Sequence, residues 1–380
     1  MEKIKRLSVF YHERKVGTIV LYRSCLGAFE YDKEWLAEEF TISPFSLPLE
    51  RKVFIPKMDP FEGLFGVFSD SLPDGWGRLL VDRFLAKNRV NPHQVGNLNR
   101  LAIVGDSGMG ALSYKPDFHF DEPMASMDFD KIAMECSNIL KTDYSENLDE
   151  LFRLGGSSGG ARPKILTQIG GEEWIVKFPS SDDGKNSGRQ EYEYSLCAKE
   201  CGIEMEPTRL FSSEFCSGYF GTRRFDRKKC VNGEIEKIHM ISASAVLETS
   251  HRIPNLDYDV LMKLTLELTK DFKEIEKLYR LMCFNVFAHN RDDHSKNFSY
   301  LYNEKEERWI LSPAYDLTYS YSLGGEHATT VYGNGSNPGM KEILEIAKSI
   351  GMDERRAKII AEDIHDCIYE MLELNDFFRD

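Results

Sequence analysis

The chain has 380 residues, of which 42% are hydrophobic and 29% charged, and its formal net charge at pH 7 is −14. This composition excludes an intrinsically disordered chain, because such chains carry too few apolar side chains to build a core. The acidic balance argues against a dominant nucleic-acid binder, since binding to phosphates needs a surplus of lysine and arginine. No signal-peptide core and no stretch with the length of a membrane span is found in the sequence, so we expect a cytoplasmic protein.

Eight cysteines are scattered along the chain, and no two have the C-x-x-C spacing typical of a zinc site. Cys197 and Cys201 are four residues apart on a predicted helix, but two ligands do not make a metal site. Scattered thiols fit a reducing compartment. We therefore interpret the cysteines as ordinary buried or surface side chains.

A β-rich N-terminal module is predicted for residues 1–120. Residues 4–22 and 27–31 have the aromatic and β-branched composition of strands, and residues 47–56 continue this pattern. After a turn at Pro73, Asp74 and Gly75, apolar residues recur at helical spacing. The glycine-containing residues 98–116 are predicted to form a loop.

A mixed β/α segment is predicted for residues 121–235. Residues 128–141 and 189–201 have helical patterns, and residues 217–227 form a strand pattern. Residues 151–180 are interpreted as a strand, a glycine-rich loop, a strand, a turn and another strand.

The remaining residues, 236–380, are predicted to be mostly helical, with a polar loop over residues 290–302 and two amphipathic helices over 339–378. Ile359, Ile360, Ile364, Ile368 and Leu372 are predicted to form one packing stripe. A small β-rich lobe followed by a helical one is the layout of kinase-like folds. We therefore predict an α+β fold with a protein-kinase-like two-lobed catalytic region and a β-rich N-terminal module.

The sharpest chemical signal is the D-x-x-x-x-N spacing of Asp292 and Asn297. In a kinase catalytic loop, the aspartate accepts the proton of the substrate hydroxyl and the asparagine holds magnesium. Without further support, the same spacing also fits a solvated turn between helices. The adjacent Asp293 is expected to be solvated.

A second acid follows at Asp316, after two short apolar strands at residues 298–302 and 309–311. Such a hairpin brings a second metal-binding acid beside the catalytic loop, where it reaches the phosphates through Mg²⁺. The alternative is an aspartate that caps the following segment.

The glycine-rich residues 154–164 lie between predicted strands and allow backbone N–H groups to approach phosphates, although they match no standard phosphate motif. Lys177 follows within an apolar strand, where an ammonium group needs a partner. The start of the next helix offers Glu191 or Glu193, of which we favour Glu191. The alternatives are a flexible hairpin loop and a lysine on a solvent-facing strand edge.

These features follow one another in the order found in protein kinases. An ATP-dependent protein serine/threonine kinase is therefore the first hypothesis. A small-molecule kinase of the aminoglycoside or choline type uses a similar set of acids and is the second. A regulatory binding protein that has kept the fold but lost the activity is the third.

Over nearly its whole length, the chain resembles the HipA-like kinases, the toxins of bacterial HipA–HipB toxin–antitoxin modules. The resemblance rests on short segments in the same order, namely SLPDGWGR, GDSGMGAL, GGARPK, VKFP, RRFDR, NRDDHSKNFS and SPAYDL.

The resemblance implies the cofactors ATP and Mg²⁺, with Asp292 as general base and Asn297 and Asp316 on the metal. It implies autophosphorylation of Ser157, for which Ser158 is the alternative. The implied ATP-binding residues are Gly159, Gly160, Ala161, Arg162, Pro163, Lys164, Lys177, Arg223, Arg224, Phe225, His294, Ser295, Lys296, Asn297, Tyr315 and Asp316.

The resemblance also implies partners. They are a protein substrate, for which an aminoacyl-tRNA synthetase is the example in the family, and a small HipB-like helix-turn-helix antitoxin. DNA would be contacted only through that antitoxin, and no membrane partner is implied.

Overall fold

The computed structural model describes residues 2–38, 40–118, 128–141, 148–156, 160–180, 183–321 and 323–372. The chain divides into two compact units. The first comprises residues 1–188, 209–241 and 245–249, and the second comprises residues 189–208, 242–244 and 250–380. Among the described residues, no helix combines the length and the apolar character that crossing a bilayer requires.

The first unit begins with a four-stranded antiparallel sheet in the order β3-β2-β1-β4. Leu7, Val9 and Tyr11 are buried on one face of β1, as expected from the two-residue period of a strand. The strands are β1 (Arg6–Tyr11), β2 (Arg14–Tyr22), β3 (Leu26–Tyr31) and β4 (Leu112–Lys115).

Between β3 and β4, the described residues form a short 3₁₀ helix (Pro92–Gln94) and four α-helices, namely α1 (Trp35–Glu38), α2 (Gly66–Ser69), α3 (Gly75–Lys87) and α4 (Asn97–Val104). The helix predicted after the Pro73 turn is confirmed as α3. The prediction of strand at 47–56 is wrong, since only isolated bridges form there, at Leu47 and Phe54. The prediction of a loop at 98–116 is also wrong. It gave too much weight to the glycines, whereas the apolar residues before Gly105 form α4 and those after Gly110 form β4.

The rest of the first unit contains a second antiparallel sheet in the order β5-β6-β8-β7 and a two-stranded ribbon. Its elements are α5 (Phe129–Lys141), α6 (Leu148–Gly155), β5 (Lys164–Ile169), β6 (Glu172–Lys177), β7 (Thr208–Phe211, whose first residue belongs to the second unit), β8 (Tyr219–Arg223), β9 (Arg227–Lys229) and β10 (Ile235–Lys237). The strand predicted from residue 151 is wrong, because this segment belongs to α6. Leu148, Leu151 and Phe152 have helical spacing and are buried, and the Phe152 ring stacks on Phe84 at 4.2 Å.

The second unit is mainly helical. Its elements are most of α7 (Ser187–Glu200), β12 (Leu256–Asp257), α9 (Tyr258–Thr269), α10 (Phe272–Phe287), β13 (Ser299–Asn303), β14 (Arg308–Leu311), β15 (Thr329–Thr330), α11 (Met340–Ser349) and α12 (Glu354–Met371), while β11 (Met240–Ser242) and α8 (Ala243–Val246) include residues of both units. Strands β13 and β14 form the predicted antiparallel hairpin.

Four of the five residues in the predicted C-terminal stripe are buried, but Ile359 is 51% exposed. It points away because it directly precedes Ile360 on the helix, and adjacent helical positions do not share a face. The described structure mixes helices with largely antiparallel sheets, which agrees with the predicted α+β class.

Candidate active site

The turn that carries Asp292 and Asn297 follows α10 and leads into β13. The side-chain Nδ2 of Asn297 donates a hydrogen bond of 2.7 Å to the backbone oxygen of Asp292. This bond closes the turn, and it leaves the amide oxygen of Asn297 as the atom that can bind a cation. The Asp292 side chain is 63% exposed, so its carboxylate is accessible to a substrate.

The neighbouring carboxylate has the opposite environment. Asp293 is 1% exposed and accepts hydrogen bonds from the Tyr258 hydroxyl (2.9 Å), the His327 Nδ1 (3.0 Å) and the Thr329 backbone N–H (3.1 Å). Burial raises the pKa of the Tyr258 phenol well above its usual range, and the Asp293 charge adds to this effect. The expectation that Asp293 is solvated is wrong, because its partners come from distant parts of the sequence.

Asp316 lies five residues beyond β14 and has a left-handed backbone with φ of 56°. The hydroxyl of the preceding Tyr315 donates to the backbone oxygen of Lys296 at 2.6 Å and also hydrogen-bonds to Ser299 Oγ at 2.6 Å. Lys296 directly precedes Asn297. The Tyr315 hydroxyl therefore ties the segment of Asp316 to the segment of Asn297.

The donors on these segments suit a hard divalent cation. Mg²⁺ prefers carboxylate and amide oxygens, with the remaining positions filled by water or phosphate. Two polar atoms of the same turn, Nδ1 of His294 and Oγ of Ser295, are buried and have no hydrogen-bond partner within the part of the chain that the structure describes. The residues present thus fit a site for Mg²⁺ and phosphate, to which Asn297 and Asp316 could contribute the metal ligands.

In the first unit, the beginning of α3 holds the end of the glycine-rich loop. The Trp76 backbone N–H donates to the Gly160 oxygen at 3.0 Å, and the Asp74 carboxylate accepts from the Gly160 N–H. A Cβ added at Gly75 would lie 2.5 Å from the Gly160 oxygen, so only glycine allows this approach. Asp74 belongs to the predicted turn and Trp76 to the predicted helix, but no local pattern indicated that these two residues hold the loop.

Two lysines face each other beside this loop. Lys164 on β5 and Lys177 on β6 are directly opposite in the antiparallel register, and both are buried, with exposures of 7% and 9%. The Lys177 ammonium lies 5.6 Å from the centre of the Phe220 ring, and a Cβ added at Gly160 would lie 2.5 Å from Lys164 Nζ. Like charges directly opposite each other in a sheet are destabilising. Two cationic side chains on one face of the sheet are of the type that binds phosphate.

Other predicted residues are placed as follows. Arg162 pairs with Asp183 at 3.3 Å, and the Pro163 oxygen accepts from the Phe178 N–H at 2.8 Å. Ala161, which the structure also describes, directly precedes Arg162. Glu191 is buried on α7, whereas Glu193 is exposed and pairs with Arg189. Ser157, Ser158 and Gly159 lie outside the described residues.

The segment from Arg223 to Phe225 is anchored by ion pairs. Arg223, at the end of β8, pairs with Glu172, at the start of the neighbouring β6, at 2.7 Å. The buried Arg224 donates to both carboxylate oxygens of Asp226, at 2.9 and 2.8 Å. Burial acts to raise the pKa of Asp226, but the charges of Arg224 and Arg227 outweigh it and hold this pKa well below the usual range.

This cluster also explains two of the sequence segments noted above. Arg224 and Arg227 both donate to the Gly108 oxygen, and the Gly110 N–H donates to Asp226 at 2.7 Å. RRFDR and GDSGMGAL thus form one buried network. The Arg224 guanidinium has a structural role in it, whereas the neighbouring Phe225 is partly buried.

Comparisons with known proteins agree with this architecture. Residues 7–115 match the HipA N-terminal domain family, and residues 156–371 match the HipA-like C-terminal domain family. Two proteins of Sinorhizobium fredii are similar to the chain. "Putative kinase Y4dM" is 23% identical over 97% of this chain and 90% of its own, and "Putative kinase Y4mE" is 24% identical over 83% and 77%.

Among solved structures, a similar one is that of the Shewanella oneidensis toxin–antitoxin complex of HipA, HipB and operator DNA. Its matched chain aligns with a TM-score of 0.69 and 16% identity, over 96% of this chain and 90% of that one. At this identity the likeness shows the fold alone, and it confirms the predicted fold class. Because the C-terminal family match covers more than half of the sequence, the chain belongs to the HipA-like family.

Proposed function

We propose that the chain is an ATP-dependent kinase that transfers phosphate to serine or threonine hydroxyls of a protein, with Asp292 as the base. The observation that carries the proposal is the hydrogen bond from Tyr315 to Lys296, which joins the Asp292–Asn297 turn to the Asp316 segment. Phosphoryl transfer depends mainly on positioning and on electrostatic stabilisation, and it needs such a preorganised set of oxygen ligands.

In this proposal, the exposed Asp292 carboxylate orients the substrate hydroxyl and accepts its proton. The Asn297 amide oxygen and the Asp316 carboxylate hold Mg²⁺, which neutralises phosphate charge when bound. Lys164 and Lys177 bind the ATP phosphates, and the Gly160 backbone approaches them closely. Buried Asp293 keeps the turn in place.

The family membership supports two finer proposals. The substrate is a protein, for which an aminoacyl-tRNA synthetase is the first candidate, and Ser157 is the site of autophosphorylation. A phosphate on Ser157 would add about −1.5 to −2 charge and repel ATP phosphates. The likeness to the Shewanella oneidensis HipA supports a HipB-like antitoxin as partner, because that structure contains HipA, HipB and operator DNA.

Phosphoproteomics of cells that express either the parent chain or Asp292→Asn tests the substrate class. We expect serine or threonine sites on few proteins, and on Ser157 of the chain itself, with the parent only. Purified parent protein that turns over ATP only with a small cationic acceptor, with no protein phosphorylated, would favour a small-molecule kinase instead. If parent and variant are equally inert, the kinase proposal is wrong.

A further inference from the structure

Three cysteines of the second unit converge in space although they are distant in sequence. Cys197 lies in the last turn of α7, Cys201 directly follows this helix, and Cys367 lies in the last turns of α12. Their sulfur atoms all lie within 4.8 Å of one another. Cys197 and Cys201 are buried, whereas Cys367 is partly exposed and gives access from solvent.

The spacing of these sulfurs is close to that of metal-bound thiolates. With a Zn–S bond of about 2.3 Å and a tetrahedral arrangement, sulfurs on one ion lie about 3.8 Å apart. Small side-chain adjustments would therefore bring the three sulfurs onto one ion. Two of them are already fixed one helical turn apart, as the hydrogen bond from Cys201 N–H to the Cys197 oxygen (2.9 Å) shows.

The surroundings also favour a soft cation. The Met371 sulfur lies 3.9 Å from Cys367 Sγ and offers a thioether ligand one helical turn further along α12. The negative charge of Glu200 acts on both Cys197 and Cys367. A bound cation would offset the repulsion between this charge and the thiolates. Thiolate and thioether ligands select Cu⁺ and Zn²⁺ over hard cations such as Mg²⁺.

We propose that Cys197, Cys201 and Cys367 form a binding site for one soft d10 cation, Cu⁺ or Zn²⁺, that fastens the end of α7 to α12. The site is distinct from the proposed Mg²⁺ ligands Asn297 and Asp316, because it consists of other residues, whose sulfur atoms suit a softer cation. Its role is structural. It would stabilise the second unit by linking a helix near residue 200 to the C-terminal helix, whether or not the chain is a kinase.

The test uses the full-length chain, reduced and freed of metal under anaerobic conditions. Zn²⁺ is added in competition with a chromophoric zinc chelator, and Cu⁺ in competition with bathocuproine disulfonate, and thermal melting is followed with each ion. The variants are Cys197→Ala, Cys201→Ala and Cys367→Ala. The matched control is Cys283→Ala, since Cys283 is a buried cysteine of the same unit outside the cluster.

We expect the parent and the Cys283→Ala control to bind one equivalent of one of the two ions and to melt at a higher temperature with it. The ion that binds distinguishes a copper site from a zinc site. Each cluster variant should lose at least tenfold in affinity and lose the melting shift. As a check that does not depend on the variants folding, the parent with Cd²⁺ should show the ultraviolet absorption of sulfur-to-metal charge transfer.

Three results would overturn the proposal. The parent could bind neither ion in competition and show no charge-transfer absorption with Cd²⁺. Folded cluster variants could bind as tightly as the Cys283→Ala control. Mass spectrometry of the natively purified chain could find a disulfide between two of the three cysteines, in which case the cluster is a redox pair.

Discussion

The Tyr258 hydroxyl donates a hydrogen bond of 2.9 Å to the carboxylate of Asp293. This bond stabilises a buried carboxylate directly beside the proposed catalytic base. Asp292 and Asp293 are adjacent in sequence, yet the first is 63% and the second 1% exposed. One carboxylate is thus accessible for chemistry, while the other anchors the turn that presents it.

This contrast predicts different costs for the same substitution. Asp293→Asn should lower the free energy of unfolding by about 1–3 kcal/mol, because an amide group cannot accept from all three donors. Asp292→Asn should change it by less than about 0.5 kcal/mol, since the side chain is exposed. Urea denaturation of both variants measures the difference. Equal stabilities would contradict the anchoring role of Asp293.

A second prediction concerns the Tyr315 hydroxyl. Tyr315→Phe removes its bonds to Lys296 and Ser299 and should reduce kcat roughly tenfold or more, because misplacing Asp316 disturbs the alignment of the reacting groups. The stability cost should be only about 1 kcal/mol. Steady-state kinetics with ATP measures the effect. Tyr321→Phe is the control, since Tyr321 is 67% exposed. A control that loses as much activity would refute the specific role of Tyr315.

A third prediction concerns the facing lysines. Lys177→Met and Lys164→Met should each weaken ATP binding on the order of ten- to a hundredfold, since a hydrogen bond to a charged group contributes roughly 1.5–3 kcal/mol. Calorimetric titration with a non-hydrolysable ATP analogue and Mg²⁺ gives the affinities. The exposed Lys229 of the same unit provides the control, Lys229→Met. If both lysine variants bind the ATP analogue as tightly as the parent, these lysines do not contact the phosphates.

A fourth prediction concerns pH. Burial lowers the pKa of His239 to about 4, and its Nε2 donates to the Ile42 oxygen at 3.0 Å. Because the folded chain holds this ring neutral, its contribution to stability is complete above pH 6.5. That contribution, about 3 kcal/mol in total, is lost as the pH falls from about 6.5 to about 4.

Urea denaturation across this pH range tests the assignment. His239→Gln has no side chain at this position that can be protonated. As the pH falls from about 6.5 to about 4, its free energy of unfolding should therefore decline by about 3 kcal/mol less than that of the parent. The variant His93→Gln alters an exposed histidine and should follow the parent. If His239→Gln declines as steeply as the parent, another group controls the acid response.

The sequence predicted local features of the site better than long-range ones. The β13–β14 hairpin that leads to Asp316 could be predicted because its apolar pattern and turn are local. The burial of Asp293 could not, because its partners Tyr258, His327 and Thr329 are brought to it only by the fold. The same holds for the cysteine cluster, in which Cys367 joins Cys197 and Cys201 from the far end of the chain.

Secondary structure failed where two patterns competed. In α6, the apolar residues beside the glycine-rich run were predicted to form a strand. The segment is instead a helix, which packs Phe152 against Phe84. In α4, the apolar residues have helical spacing, but the glycines that follow the helix led to the prediction of a loop. The helical structure of α6 thus depends on a packing partner that is distant in sequence.

The most direct test of the account is transfer of radiolabelled γ-phosphate from ATP by the purified chain in the presence of Mg²⁺. The parent should label protein serine or threonine, and Asp292→Asn should lose this labelling by several orders of magnitude while keeping the parent's melting temperature. Labelling that persists undiminished in a folded Asp292→Asn variant, or that is absent from the parent under all conditions with Mg²⁺, would contradict the account.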